Sequence, residues 1–265
     1  MSDPNGTDDA RPSRADVDDV ADAAIGVDTR IFRTLWDTLL FTPRVVEAAY
    51  AGDRDTYVPI IRLFLVLFGL QFAAMAFLGL PIGLTLEQME TSPESAEAVR
   101  LWLAQNDVSR DAIAQTLERI AQLTTTPMTF LGTLPFMLLL KAYKPSRSFF
   151  GHLLAYLAAT NSSYLLLFPF FVLAFFGPVD LMFWSGMAIS FAWYFIAMAR
   201  LLYRFYSRNL FVVALQTCGL ILMTPVMFII ITIVMFVTID IGLRLAHDMS
   251  IFEIFMISAQ VTLRK

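Results

Sequence analysis

Long apolar runs separated by short polar connections set the pattern of this chain from residue 57 onward. A helix rises about 1.5 Å per residue, so about 20 apolar residues cross the roughly 30 Å hydrocarbon core of a bilayer. The pattern predicts an all-α fold, a polytopic integral membrane helix bundle with five transmembrane helices. The predicted spans are residues 58–80, 127–143, 148–176, 181–203 and 210–241.

The last of these runs is the longest and carries no charge between Arg208 and Asp240. It is longer than one crossing needs, so we expect a tilted span or one whose end leaves the lipid. The alternative is a hairpin bent at Pro225, which would give six spans and a cytoplasmic C-terminus. Its halves are short for two full crossings, which favours one span.

Polar segments flank the predicted membrane domain, residues 53–245. Residues 1–28 are acidic and poor in large apolar side chains, so they predict a disordered tail. Residues 29–52 combine helical apolar spacing with Arg30, Arg33 and Arg44, and Pro43 divides them. This predicts two short amphipathic helices lying at the membrane interface, with packing on other protein helices as the alternative.

Two further segments are predicted outside the lipid. Residues 84–125 form the largest polar insert and read as an extracytoplasmic helical hairpin, with Ser109 as the N-cap of its second helix. Residues 246–265 are apolar but short and contain Glu253. We therefore expect a C-terminal interfacial helix there instead of a sixth span.

Composition supports a membrane protein and limits the chemistry. Of the 265 residues, 57% are hydrophobic and 16% are charged, against about 45–50% and about 25% in soluble domains. The net charge of -4 comes largely from the acidic tail, so nucleic acid is not an expected partner. The single cysteine, Cys218, excludes an intrachain disulfide and a cysteine-cluster metal site.

Basic residues define an expected orientation. The connections at 141–147 and 200–208 hold Lys and Arg but no acidic residue, whereas the 84–125 insert is mostly acidic. Positive loops face the cytoplasm. We therefore expect a cytoplasmic N-terminus, an external hairpin and an external C-terminus.

Two groups of residues are candidate functional sites. The first is a collar of basic residues expected to contact anionic lipid head groups: Arg33, Arg44, Lys141, Lys144, Arg147, Arg200, Arg204 and Arg208. The second is an intramembrane polar site formed by Arg62, His152 and Asn161. Asn161 belongs to the stretch Thr160-Asn-Ser-Ser163, whose small polar residues equally predict close packing between helices.

Short motifs resemble a known family. The stretch Arg33-Thr-Leu-Trp-Asp-Thr-Leu-Leu-Phe-Thr-Pro-Arg44, the Tyr57-Val-Pro59 step, Phe150-Gly-His152 and the segment from Tyr194 to Tyr206 are similar to a bacterial multi-span family of unknown function, near the Yip group of five-span membrane proteins. The resemblance implies a five-span fold and no established chemistry. It covers about residues 30–80 and 140–240. The cysteine pair that holds zinc in many members has no counterpart here.

The sequence contains no recognisable catalytic motif. Its two histidines, His152 and His247, lie far apart, and no phosphate-binding loop or nucleophile elbow occurs. Together with the resemblance to a bacterial family, this leads us to expect a non-enzymatic protein of the bacterial inner membrane, with a scaffold, accessory or lipid-interacting role and without a cofactor or metal. Its expected partners are membrane lipids and either a second copy or another membrane protein. The alternative is a small permease or channel with a polar path near Arg62, His152 and Asn161.

Overall fold

A computed structural model describes residues 29–53, 55–80 and 84–263, and all regular elements in these ranges are helices. The predicted disorder of residues 1–28 lies outside the described residues. The helices are α1 (Thr29–Leu40), α2 (Thr42–Ala51), α3 (Ile60–Phe77), α4 (Leu86–Met89), α5 (Pro93–Gln105), α6 (Arg110–Tyr143), α7 (Phe149–Ala174), α8 (Val179–Phe205), α9 (Leu210–His247) and α10 (Phe252–Leu263).

Four of these helices, α3, α7, α8 and α9, are long and apolar enough to cross a membrane. The two parts of α6 would add a fifth crossing if they are counted together, which makes four to five candidate spans in the described chain. These are the helices of a multi-pass membrane protein. Because α9 is one helix with Pro225 inside it, the alternative of a hairpin at that proline is not formed.

The structure differs from the predicted boundaries at α6. The second helix of the expected hairpin and the second expected span form one element, bent by 44° between Thr125 and Pro127. Proline lacks the N–H that a helix interior needs, and its ring crowds the preceding turn. The hydroxyls of Thr124 and Thr125 donate to the carbonyls of Ile120 and Ala121. The bend therefore lies where several side chains interact with the helix backbone.

The membrane part of the bundle has α7 and α8 at its centre, and these two helices have the most extensive contact in the protein. Gly186 permits their close approach, because a Cβ built there would lie 2.6 Å from Cβ of Phe170. Ala158, Met198 and Leu202 are almost fully buried between the helices. A second pair, α6 and α9, packs beside them.

A second core lies around the start of α6 and the end of α9. We call this part the helical cap: α4, α5, the first half of α6, the last turns of α9, and α10. Its buried residues include Trp102, Ile113, Leu243 and Ile254. Trp102 is only 1% exposed, and its Nε1 donates to Glu253 Oε2 at 3.2 Å. The hairpin and the C-terminal helix, predicted as separate segments, thus share one core.

Local capping explains where the cap helices begin. Ser109 accepts a hydrogen bond from the amide of Ala112, which confirms it as the N-cap of α6.

The turn between α9 and α10 is held by Asp240. Its Oδ1 accepts from Ser250 Oγ at 2.5 Å and from the Ile251 amide at 3.1 Å. A charged acceptor shared by two donors fixes α10 against the end of α9.

Candidate functional site

The two N-terminal helices pack against the membrane bundle. Val45 and Val46 of α2 are 2% and 0% exposed and join the core formed by α7 and α8. The hydroxyl of Tyr50, at the end of α2, donates to the Gly151 carbonyl at 2.6 Å. The pair therefore contacts protein helices along one side, as the alternative interpretation of residues 29–52 expects.

The opposite side of α1 is apolar and exposed. Phe32 and Trp36 are 65% and 61% exposed, whereas Thr34 and Thr38 are fully buried against the bundle. A helix in water would turn its aromatic side inward, since burying apolar surface contributes about 25 cal/mol per Å². This inverted arrangement is typical of a helix whose outer side meets lipid.

Small polar side chains near the middle of α7 fix the N-terminal segment in place. Asn161 Nδ2 donates to the carbonyl of Ile60, the first residue of α3, and Ser162 Oγ donates to the carbonyl of Leu39 in α1. Ser163 Oγ donates to the Ser190 carbonyl of α8. Adjacent residues of one helix thus bond to three different helices, a role expected for small polar groups within a bundle.

The basic residues of the loop between α6 and α7 turn toward the protein. Lys141 Nζ donates to the carbonyls of Pro145 and Arg147, both at 2.6 Å. Lys144 Nζ donates at 2.7 Å to the carbonyl of Phe205, which is the last residue of α8. The last carbonyls of a helix lack partners within the helix, so a lysine there satisfies an acceptor and complements the helix dipole.

Arg147 occupies an aromatic cluster, which we define as Tyr50, Phe205 and Tyr206. Its guanidinium carbon lies 4.6, 5.2 and 5.4 Å from the three ring centroids, and Nη1 donates to the Tyr50 hydroxyl at 2.8 Å. Burial raises the pKa of Tyr50, although nearby Arg147 opposes this. The phenol therefore remains a donor to Gly151 while it accepts from Arg147.

The basic residues at the end of α8 bind the N-terminal helices. Arg200 Nη1 donates at 3.1 Å to the carbonyl of Leu40, the last residue of α1. Arg204 Nε pairs with Glu47 Oε1 of α2 at 2.5 Å. Together with Arg147, these residues hold α1 and α2 against the bundle, a structural role that the sequence interpretation did not assign to them.

The remaining collar residues are exposed, as are Arg200 and Arg204. The guanidinium of Arg44 lies 4.3 Å from the Phe41 ring, and that of Arg208 lies 5.5 Å from the Tyr203 ring. Arg33 is exposed on α1. These side chains present cationic charge beside aromatic surface, a combination suited to the head-group region of a membrane.

Arg33 and Arg44 lie near a partly buried hydrogen bond. The Tyr57 hydroxyl donates to Asp37 Oδ2 at 2.7 Å, and the Val58 amide donates to Thr34 Oγ1 at 2.9 Å. Burial and the bond to the Asp37 carboxylate raise the pKa of Tyr57 to about 12, while the two arginines lower it. The phenol thus stays protonated at neutral pH and ties the segment before α3 to α1.

The three residues of the predicted polar site lie in different environments. His152 is fully buried, with its Nδ1 hydrogen-bonded to the Tyr206 hydroxyl at 2.6 Å, and Asn161 binds Ile60 as described. Arg62 is exposed on α3. Neither of two cavities found between the helices is lined by any of these three residues. The permease path through them stays a prediction.

Residues that sequence reasoning missed complete the site. Tyr50 accepts from Arg147, Glu47 pairs with Arg204, and the Trp193 ring lies under the guanidinium of Arg200. Trp193 Nε1 also donates to Ser162 Oγ at 2.9 Å. Their spacing in sequence gives no sign of these contacts, because each joins helices that are distant along the chain. The available signal for these contacts in the sequence was the presence of aromatic residues near basic ones at helix ends.

The interpretation of this site rests on the structure alone. No protein-family model, curated protein or solved structure matches the chain. The resemblance to the five-span Yip-like group therefore stays a prediction.

Proposed function

We propose that this chain is a non-enzymatic, lipid-interacting scaffold or accessory protein of the bacterial inner membrane, of Yip-like type. It has five spans, a cytoplasmic N-terminus and an external C-terminus. In this proposal α1 and α2 lie in the cytoplasmic leaflet. The observation that carries the proposal is the inverted α1, which exposes Phe32 and Trp36 while burying Thr34 and Thr38.

The exposed arginines supply the electrostatic part of the proposed interaction with the membrane. Arg33, Arg44 and Arg208 bind anionic head groups next to the inserted aromatic side chains, and each basic residue contributes about 1 kcal/mol near an anionic leaflet. The other collar residues, Lys141, Lys144, Arg147, Arg200 and Arg204, bond to the protein beside this surface, and Arg200 and Arg204 are themselves exposed. A second copy or another membrane protein then associates through the exposed helix faces.

Quenching of tryptophan fluorescence by brominated lipid tests the position of α1. The chain has 4 tryptophans, so a variant with Trp102, Trp184 and Trp193 changed to Phe reports on Trp36 alone. Its fluorescence is expected to be quenched in brominated phosphatidylcholine bilayers. The matched control keeps only Trp102, which is 1% exposed in the helical cap. Equal, weak quenching in both variants would overturn the proposal.

Charge reversal tests the head-group contact. Arg33→Glu, Arg44→Glu and Arg208→Glu together are expected to lower the phosphatidylglycerol retained by the purified protein several-fold. Arg100→Glu and Arg119→Glu, in the helical cap, are the control and leave retention unchanged. Retention that falls equally with both sets would show general charge effects and contradict a cytoplasmic site.

A further inference from the structure

Two cavities lie between the membrane helices, and they share Gln71 of α3. The tyrosine cavity, about 230 Å³, lies among α3, α6, α7, α8 and α9 and is lined by Tyr156, Tyr164, Ser190 and Tyr194 among others. The threonine cavity, about 320 Å³, lies among α3, α6 and α9 and reaches Leu117 and Ala121 in the first half of α6, which belongs to the helical cap. Pockets for small molecules measure about 300–1,000 Å³, so the pair together is large enough for an elongated ligand.

The tyrosine cavity contains buried polar atoms without partners. Ser190 and Tyr194 are 3% and 8% exposed, and neither hydroxyl has a hydrogen-bond partner among the described residues. The same holds for Gln71 Oε1. Ser190 and Tyr194 lie one turn apart on α8, so they share a face of that helix. A buried hydroxyl without a partner is costly, especially within a membrane, and a ligand that accepts from it removes that cost.

Three other hydroxyls of this cavity already donate to backbone carbonyls. Thr160 donates to the Tyr156 carbonyl, Ser163 to the Ser190 carbonyl, and Thr224 to the Leu220 carbonyl. Of the hydroxyls lining this cavity, those of Ser190 and Tyr194 are buried and have no partner among the described residues. A ligand that complements them presents an acceptor oxygen, such as a hydroxyl, ether or carbonyl oxygen.

The threonine cavity fits an apolar chain. Most of its lining is apolar, including Leu117, Met128, Ile231, Met235 and Ile239. Its three threonines donate to carbonyls of their own helix, so they offer methyl groups and no free donor to a ligand. No charged residue lines either cavity in the described chain. A charged head group buried here would lack a counter-charge and be strongly disfavoured.

We propose that the two cavities form one binding site for a neutral, single-chain lipid. Its oxygen-bearing head accepts hydrogen bonds from Ser190 and Tyr194, and its chain passes Gln71 into the threonine cavity. This site is separate from the N-terminal surface, and its occupancy does not depend on the proposed head-group contact.

Photolabelling of the full-length protein in nanodiscs tests the site. The probe is a long-chain alcohol with a diazirine at the end of its chain, and the control probe is the sulfate ester of the same alcohol. The alcohol is expected to label peptides containing residues 117–129 and 231–239, and the sulfate ester is expected to label them at least fivefold less. Equal labelling by the two probes, or alcohol labelling no higher there than on α10, would overturn the proposal and leave water as the occupant.

Variants test the two halves of the site separately. Ser190→Ala with Tyr194→Phe removes both free donors and is expected to lower labelling about fivefold or more, because each lost hydrogen bond weakens binding severalfold. Tyr203→Phe, an exposed tyrosine of the same helix, is the control and leaves labelling unchanged. Ala121→Phe fills the threonine cavity and is expected to abolish labelling there. Full labelling in a folded Ala121→Phe protein would contradict the assignment of the chain.

Discussion

Asn161, near the middle of α7, donates through Nδ2 to the backbone carbonyl of Ile60, the first residue of α3, at 3.0 Å. The first membrane helix therefore begins against the middle of α7 and not beside its start. Leu39 of α1 contacts α7 at the neighbouring Ser162, and the end of α2 packs near the start of α7, where Tyr50 meets Gly151. In this way the 18-residue α3 and the α1–α2 pair pack on different parts of the 26-residue α7.

Removal of this contact is expected to destabilise the bundle. Asn161→Ala should lower the free energy of unfolding by about 1–2 kcal/mol, the size of a hydrogen bond between helices in a membrane. Unfolding by a denaturing detergent provides the measurement. Thr217→Val is the control, since the Thr217 hydroxyl bonds only to the Val213 carbonyl of its own helix. Losses of equal size would show that the Asn161 contact has no special role.

The Arg147 site is expected to distinguish arginine from lysine. Arg147→Lys keeps the charge but loses the planar group that stacks on Tyr50, Phe205 and Tyr206, and we expect a loss of about 1–2 kcal/mol. Because Arg147 also holds α2, proteolysis within residues 29–53 should become faster. Arg208→Lys, at an exposed ring contact, should change neither property. Unchanged proteolysis in Arg147→Lys would contradict the clamping role.

The helical cap is expected to loosen as one unit. Trp102→Ala removes a large side chain from its core and should destabilise the cap by about 3–5 kcal/mol. Hydrogen exchange should then increase together in residues 93–105 and 252–263, because α5 and α10 pack on each other. Exchange in α7 and α8 should not change. Arg100→Ala, which breaks only an exposed pair with Glu97, is the control. An increase confined to α5 would show that α10 is held independently.

The shared core of the cap also predicts topology. A reporter inserted between α5 and α6 and a reporter fused after Lys265 must lie on the same side of the membrane, because α10 packs on α5. The proposed orientation places both outside. Reporters active on opposite sides would require α10 to separate from the cap in the membrane. Both reporters in the cytoplasm would keep the fold but reverse the proposed orientation.

Much of the helical architecture was accessible from local patterns. Apolar runs of sufficient length predicted α3, α7, α8 and α9, since the number of apolar residues alone determines whether a helix can cross a bilayer. Ser109 was recognisable as an N-cap because its bond is to an amide three residues away. Both features depend on neighbours in sequence.

Contacts between distant helices were not accessible in this way. The eight basic residues of the collar look alike in sequence, yet Arg147 and Arg204 bond to Tyr50 and Glu47, whereas Arg44 and Arg208 contact the rings of Phe41 and Tyr203. The difference depends on which helix end or side chain each one meets after folding. The cavity lining has the same origin: Gln71, Ser190 and Tyr194 come from α3 and α8 and are isolated polar residues in apolar runs. Hydropathy reports length and composition, whereas pairing between helices depends on the shape of side chains that meet only in the packed bundle.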